Sequence, residues 1–567
     1  MGVTWTKEQE QVIRLRDRNI LVSAAAGSGK TAVLVERILS MLTDPVHPLD
    51  VSRLLVVTFT KAAAAEMKER IRKAIETLLE EKGENPHLRQ QATLIYSAQI
   101  TTIDSFCQMV VREHFHRIDL DPGFRVADEG ELKLLQQDVL DEMLEEEYAG
   151  GTDAFRRFVE AYAPGRNDRK LGEMILKLYT YSRSYPDPEE WLGKSVRLYK
   201  SCEADGAFPE ELESKLMGLM DSSLGEAKEL LQTARKICQT ADGPYMYEET
   251  LEADMEIVQS FLSAATLAER FQCAAEIRQD GKIRWRGLST KRDPDVAKEK
   301  REQVKQLREQ VKKNLEEICG QYLYGSPEEL AEDMQRCSEP AGVLTDLVRK
   351  FGVRFSEKKR ERNLIDFTDM EHFALQILAE KRDGKWIPTK AAEEYQKQYA
   401  EVLIDEYQDS NLLQEVILTS VSTVSCGKNN VFMVGDVKQS IYRFRLSCPE
   451  LFMEKFYSYS LEDSDAQRID LHKNFRSREE VLDSVNFVFR QIMRKELGGI
   501  DYDDRSALYP GADYQPVSDA EGVSVNRTEL MLVDIDKEEL SARETVENAK
   551  ELEARAVAGE IKKILRT

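Results

Sequence analysis

The stretch Ala24-Ala25-Ala26-Gly27-Ser28-Gly29-Lys30-Thr31 limits the folds open to this chain more than any other segment. It follows the apolar run Ile20-Leu21-Val22 and precedes a helical pattern beginning near Ala32. Strand, glycine-bearing loop and helix, in that order, is the context in which such a loop binds phosphate. Gly27 and Gly29 let backbone N–H groups turn toward phosphate oxygens. The helix start adds partial positive charge and Lys30 a full one. Thr31 places a hydroxyl where a Mg2+ ion would sit. Ala24 stands where the strict pattern has Gly, and an ordinary turn of small residues is the competing interpretation.

The rest of the chain supplies an α/β frame. Leu54-Leu55-Val56-Val57-Thr58 reads as a buried strand followed by a helix from about Ala62 to Leu79. From about Asp128 to Asn363 long, charge-rich amphipathic helices dominate, as in Glu299 to Cys319, and a helical insertion is expected over 126–363. Strand patterns return at Val402-Leu403-Ile404-Asp405 and Val431-Phe432-Met433-Val434-Gly435. A first α/β domain is therefore expected over 1–125 and 364–455, and a second α/β stretch over 456–567. Within the second, Pro510, Gly511 and Pro516 mark a loop, and a helix is expected from about Arg543 to Leu565. Ligands of open α/β sheets bind at the carboxyl ends of strands, so Thr58, Asp405 and Gly435 should converge on the loop at Gly27 to Thr31.

Composition narrows the partners less than it first suggests. With 80 Lys and Arg against 103 Asp and Glu, the net charge is −23. That lowers the prospect of non-specific coating of DNA, but a motor needs only a local basic track. No apolar run is long enough to span a bilayer. Met1 to Glu10 lacks the order of a signal peptide. The eight cysteines form no CxxC pair, so neither a zinc site nor a disulfide framework is indicated and a reducing cytoplasm is expected.

Five further segments carry chemistry. Asp405-Glu406-Tyr407-Gln408-Asp409 ends a strand; Asp405 is placed to hold Mg2+ through water, and Glu406 to orient and deprotonate an attacking water. Standing alone, the same run would read equally well as a solvated acidic turn. Gly435-Asp436-Val437-Lys438-Gln439-Ser440-Ile441-Tyr442-Arg443-Phe444-Arg445 interleaves rings with arginines, as single-stranded nucleic acid requires; ordinary core aromatics are the alternative. Gln439 sits where it could sense a γ-phosphate. Thr58-Phe59-Thr60-Lys61 and Thr101-Thr102-Ile103-Asp104-Ser105-Phe106 offer a ring that stacks or packs and hydroxyls suited to phosphate oxygens. Asn474-Phe475-Arg476-Ser477 contains an arginine that either meets a γ-phosphate or simply lies at the surface. Gln9, ahead of the loop, would read an adenine edge or be an exposed glutamine.

Taken in order, these segments resemble superfamily 1 helicases of the UvrD/Rep/PcrA type. Ser105-Phe106-Cys107 with Val110-Val111-Arg112, the run from Leu364 to Ala374, and Val434 to Arg445 are similar, more narrowly, to the AddA family, the motor subunits of bacterial AddAB (RexAB) helicase–nucleases. The resemblance covers essentially the whole chain. It implies a RecA-like P-loop domain with a parallel sheet, interrupted by a large all-α inserted domain and followed by a partial second RecA-like domain. It implies an ATP-dependent 3′–5′ DNA helicase acting in double-strand-break repair, with ATP and Mg2+ as cofactors. Lys30, Glu406, Gln439 and Arg476 would be catalytic. Gln9, Ala24, Ala25, Ala26, Gly27, Ser28, Gly29, Lys30, Thr31, Phe475 and Arg476 would bind ATP, Phe475 by stacking on adenine. Thr31 and Asp405 would hold the metal. Phe59, Thr60, Thr102, Ser105, Tyr442, Phe444 and Arg445 would contact DNA. The partners implied are single-stranded DNA, duplex ends and an AddB-like second subunit.

Several positions depart from the pattern. Lys61 stands where the wider family commonly has Asn, Asp104 where it has His, and Ala32 where an adenine-stacking Arg is frequent. The later motor motifs, a second arginine finger and an Asp/Glu/Lys nuclease site do not occur before Thr567, so a fragment of a longer protein is expected. Such a fragment should bind ATP, turn it over poorly and not unwind DNA alone. Two other expectations stay open: a stand-alone repair helicase without nuclease, and a non-motor DNA-binding module switched by ATP.

Overall fold

The computed structural model describes residues 4–83, 85–165, 168–202, 207–279, 282–291, 293–495, 500–515, 528–533 and 542–565. They form two compact units. One comprises 1–24, 30–471 and 493–501, the other 25–29, 472–492 and 502–567.

The first unit is built on a six-stranded sheet of β1 (Asn19–Ala24), β2 (Leu54–Thr58), β3 (Gln99–Thr102), β4 (Glu401–Ile404), β5 (Val431–Gly435) and β6 (Ala466–Leu471). The spatial order is β6-β1-β5-β4-β2-β3, and every neighbouring pair is parallel. Parallel strands buried on both faces read as continuous apolar runs, which is why Ile20-Leu21-Val22 and Leu54 to Val57 carry no polar alternation. Successive residues still divide between two cores. Ile20, Val22, Leu54 and Val56 pack with Val33, Leu34 and Ile38 of the helix Lys30–Leu42. Leu21, Leu55 and Val57 pack on the other face with Phe106, Val110, Met370 and Tyr407.

The domain boundary expected at 456 falls elsewhere. Residues 466–471 are an edge strand of the first sheet, registered Ser23↔Asp470 and Ala24↔Leu471. Ile469 and Leu471 face the same core as Ile20, so burial assigns this strand to the first unit. The second unit takes over at His472.

From Glu129 to Glu361 the described chain is mostly helical, with two cores of its own. One gathers Leu135, Met143, Phe155, Phe351 and Phe355; the other Leu224, Leu231, Phe261, Val304 and Val311. A short antiparallel pair, Arg278–Gln279 with Lys282–Ile283, breaks the expected all-α character. The insertion belongs to the same compact unit as the sheet. Its ends are joined by a parallel bridge, Arg125↔Leu364 and Val126↔Ile365. Buried Lys359 and half-buried Arg183, both from the insertion, pair with Asp369 on the helix Phe367–Leu378; Lys359 also meets Asp366 at 2.7 Å. A hairpin, Ala379–Arg382 with Lys385–Pro388, turns at Asp383-Gly384, both at positive φ. Asp-Gly is a strong hairpin signal, although no hairpin is expected there from the periodicity.

The second unit pairs Lys473–Asn474 with Tyr509–Pro510 and packs Leu482 of the helix Glu479–Ile492 against Ala25 and Leu508. The helix Ala542–Ile564 matches the one expected there. Pro516 lies outside the described residues. Among the described residues no helix is long and apolar enough to cross a membrane.

Candidate nucleotide and nucleic-acid site

The helix after the glycine loop begins at Lys30, two residues earlier than its apolar pattern indicates. Gly27 and Gly29 adopt φ of +71° and +83°, a region that favours glycine. Within the second unit the loop is braced by the Asn474 segment. The Asn474 side-chain amide donates to the Ala26 carbonyl at 2.7 Å, and the Phe475 N–H donates to the Gly27 carbonyl at 2.8 Å. The Asn474 side-chain oxygen accepts from the N–H groups of Arg476 and Ser477, each at 2.8 Å. A Cβ at Gly27 would collide with this amide, so position 27 needs glycine for space as well as for backbone angle.

In the first unit, parallel wiring puts the ends of β1, β2, β4 and β5 at one edge of the sheet. The Asp405 N–H donates to the Val57 carbonyl at 2.9 Å, continuing the β4–β2 ladder. Glu406 then takes φ +51° and ψ +46°, a left-handed conformation that is strained for a non-glycine residue. This turn aims the carboxylate at Lys30, whose ammonium lies 3.0 and 3.2 Å from its two oxygens. Gln408, 1% exposed, donates its amide to Glu406 at 2.9 Å and to Asp409 at 3.2 Å. Its carbonyl accepts the Asp436 N–H at 3.0 Å. The Asp436 carboxylate in turn receives Gln439 and Lys438, both at 2.8 Å.

Negative charge exceeds positive at this edge. Burial, reinforced by the neighbouring Glu406 charge, raises the Asp405 carboxyl to about 6, while Lys30 acts in the opposite direction. The same two causes raise Asp409 to about 6, and one of its oxygens is buried without a partner. The carboxylates of Asp405, Glu406 and Asp409 are oxygen donors of the kind a divalent cation takes. Among the described residues, no three His, Cys, Asp or Glu side chains could hold a metal by themselves.

The aromatic segment assembles next to this edge. Phe59, following β2, lies 4.5 Å from Tyr442 between ring centroids, and Tyr442 lies 5.8 Å from Phe444. The Arg445 guanidinium sits 5.4–5.8 Å from all three rings. Phe444 is 75% exposed, so it is not a core aromatic. A cleft of about 440 Å3 is lined by Asp405, Glu406 and Asp409 and also by Phe59, Phe444 and Arg445, with Arg183 of the insertion on its wall.

Other expected site residues have local tasks. Gln9 is buried, not exposed; with Thr6 it forms a capping box, its side-chain oxygen accepting the Thr6 N–H at 3.0 Å. Thr60 caps the helix Lys61–Lys82 by accepting the Ala63 N–H at 3.1 Å. Thr102 caps the helix Ile103–His114 by accepting the Ser105 N–H at 3.3 Å, and the two hydroxyls lie 2.9 Å apart. Thr31 is half-buried in the first turn of its helix. In the second unit Phe475 is half-buried with its ring against Gly511, and Arg476 is exposed.

Two residues matter that the motifs do not single out. Gln408 and Asn474 lie inside quoted segments, but spacing offers no sign of the hydrogen bonds each makes to a distant backbone group.

Residues 5–459 match the N-terminal domain of UvrD/REP helicases. The chain is 46% identical, over 99% of its length, to an ATP-dependent helicase/nuclease subunit from Lachnoclostridium phytofermentans, covering 42% of that protein. The corresponding helicase/nuclease subunits from Alkaliphilus oremlandii and Bacillus pumilus are 42% and 41% identical over 99% of the chain, which covers 45% of each. The chain thus spans less than half the length of these relatives.

Proposed function

We propose, from the premise that this chain belongs to the UvrD/REP helicase family, that it is the ATP-driven motor portion of a larger DNA helicase–nuclease. The motor moves 3′ to 5′ on single-stranded DNA, processes double-strand breaks for recombinational repair, and works beside an AddB-like second subunit. The observation that carries this reading is a single cleft lined both by Asp405 and Glu406 and by Phe59, Phe444 and Arg445. Phosphate chemistry and base stacking at one edge of one rigid sheet is what coupling between them requires.

In the proposed mechanism the loop from Ala24 to Thr31 presents N–H groups to the β and γ phosphates, and Lys30 adds its charge. Thr31 and Asp405 would hold Mg2+, which supplies charge stabilisation on the phosphate oxygens. Lys30 can neutralise a phosphate only by giving up its contact with Glu406. Nucleotide binding therefore releases the Glu406 carboxylate to accept a proton from the attacking water. Gln439 reports the γ-phosphate to the aromatic segment. Arg476 and Phe475, in the second unit, keep the roles the family resemblance implies: transition-state charge and adenine stacking. Phe59, Tyr442 and Phe444 stack bases, Arg445 meets the backbone, and Thr60, Thr102 and Ser105 line the strand.

The test is Mg2+-dependent ATP binding, with and without single-stranded oligonucleotide, by wild type and Lys30→Ala. The expected result is binding in wild type only, with hydrolysis stimulated by the oligonucleotide. Equal nucleotide binding by both proteins overturns the assignment of the site. Displacement of streptavidin from a 3′- or 5′-biotinylated strand by a full-length helicase/nuclease subunit containing this chain reads the polarity.

A further inference from the structure

We propose that Gln408 is a positioning residue whose side-chain amide couples nucleotide at Glu406 to single-stranded DNA at the segment that starts at Asp436. The inference rests on the functional reading above and goes beyond it by naming the link between the two ligands.

The amide has two unlike ends, and each faces a different working part. Its nitrogen donates to Glu406 and Asp409, both in the acidic turn after β4. Its oxygen accepts the N–H of Asp436, the first residue after β5. Only this orientation is consistent: turned over, the nitrogen would face an N–H and the oxygen would face carboxylates. Gly435 confirms the tightness of the fit, because a Cβ there would collide with the Gln408 side-chain oxygen.

Asp436 is the root of everything downstream. Its carboxylate holds Gln439 and Lys438, and the chain continues into Tyr442, Phe444 and Arg445. A ligand that shifts this segment pulls on the Gln408 oxygen. The pull reaches Glu406 through the amide nitrogen and changes the balance between Gln408 and Lys30 for that carboxylate. The reverse path runs from nucleotide through Lys30 and Glu406 to the rings. Both polar ends are buried, so water cannot substitute for the link without opening the core.

The experiment measures the affinity of a short oligo-dT by fluorescence anisotropy, with and without Mg2+ and a non-hydrolysable ATP analogue. It then measures analogue affinity with and without oligo-dT. Linkage requires one coupling factor in both directions, typically about 5–150-fold when two sites communicate. Wild type is expected to show at least about fivefold coupling. Gln408→Met, similar in volume but without either hydrogen bond, is expected to bring it within about twofold of unity. Should Gln408→Met fail to fold, Gln408→Leu carries the same expectation, since it too lacks both hydrogen bonds. Coupling retained in these variants overturns the proposal and leaves the functional reading intact. Wild type that binds neither ligand overturns both.

Discussion

Lys30 and Glu406, 376 positions apart in sequence, meet at 3.0 Å. Their side chains are 13% and 35% exposed, so the pair is neither an open surface bridge nor a sealed one. One is the cation of the glycine loop and the other the carboxylate of the acidic turn, and in the proposed mechanism a phosphate competes with Glu406 for the lysine. Glu406→Gln removes that competition. Nucleotide affinity should hold or tighten, while hydrolysis falls by about 100-fold or more, as expected for loss of a general base. Equilibrium binding and steady-state phosphate release check this together. A Glu406→Gln protein that hydrolyses ATP within tenfold of wild type removes the residue from its role as base.

Phe444 and Arg445 give a prediction that separates DNA contact from folding. Phe444 is largely exposed, so Phe444→Ala should leave thermal stability unchanged. Stacking on an aromatic side chain contributes about 1–3 kcal/mol per base, so oligo-dT should bind roughly 5–150-fold more weakly. Arg445→Ala should also flatten the dependence of log affinity on log salt by about 0.7, the value for one phosphate contact to a single strand. Unchanged affinity in both variants would place the DNA track elsewhere.

Glu371 sits buried on the helix Phe367–Leu378, where its carboxylate accepts the Gln414 amide at 2.7 Å. Burial, with Asp104 adding repulsion, raises its carboxyl to about 8. An unfolded chain loses this proton near the ordinary value for glutamate, whereas the folded protein keeps it to about 8. Between those limits the folded state binds more protons, so this group makes stability fall as pH rises through that window and level off above it. Glu371→Gln should therefore be about as stable as wild type near pH 4.5, and more stable at pH 9 by on the order of 4–5 kcal/mol. Urea denaturation at the two pH values gives the difference, and equal displacement at both would show that folding does not raise the Glu371 carboxyl.

Arg37 lies on the helix that follows the glycine loop, fully buried, and pairs with Glu401 at the start of β4. Its guanidinium also donates to the Val12 carbonyl and lies 4.6 Å from the Phe432 ring centroid. Glu401→Gln leaves this cation without its counter-charge and should cost about 3–5 kcal/mol, read from the urea midpoint. Replacing both partners by methionine should recover much of that loss, because breaking a buried pair costs more than removing it.

The strands and their punctuation were legible because burial on both faces leaves an apolar run that nothing else in the chain imitates. Leu54–Thr58 and Val431–Gly435 lie where the pattern puts them. The strand Ala466–Leu471 carries Gln467, Arg468 and Asp470, so no apolar run marks it, and its place at the edge of the first sheet is set by pairing with β1. Gln9 and Thr102 show a different limit. Each has a residue type suited to a ligand, and each also makes a helix-capping hydrogen bond within a few residues. Local capping and ligand contact draw on the same polar side chains, so type alone does not separate them.

The sequence by itself determined that a glycine loop follows a buried strand, that an acidic turn and an arginine-rich aromatic segment follow two others, and that a long helical stretch separates them. Those features are local, set by periodicity, backbone permissiveness and side-chain chemistry. Only the tertiary structure decided that Glu406 turns through a left-handed backbone to reach Lys30, that Gln408 bridges Glu406 to Asp436, and that Asn474 holds the carbonyl of Ala26. Each of these is a directional hydrogen bond or ion pair between residues far apart in sequence. Its existence depends on strand order and register, which no single segment encodes.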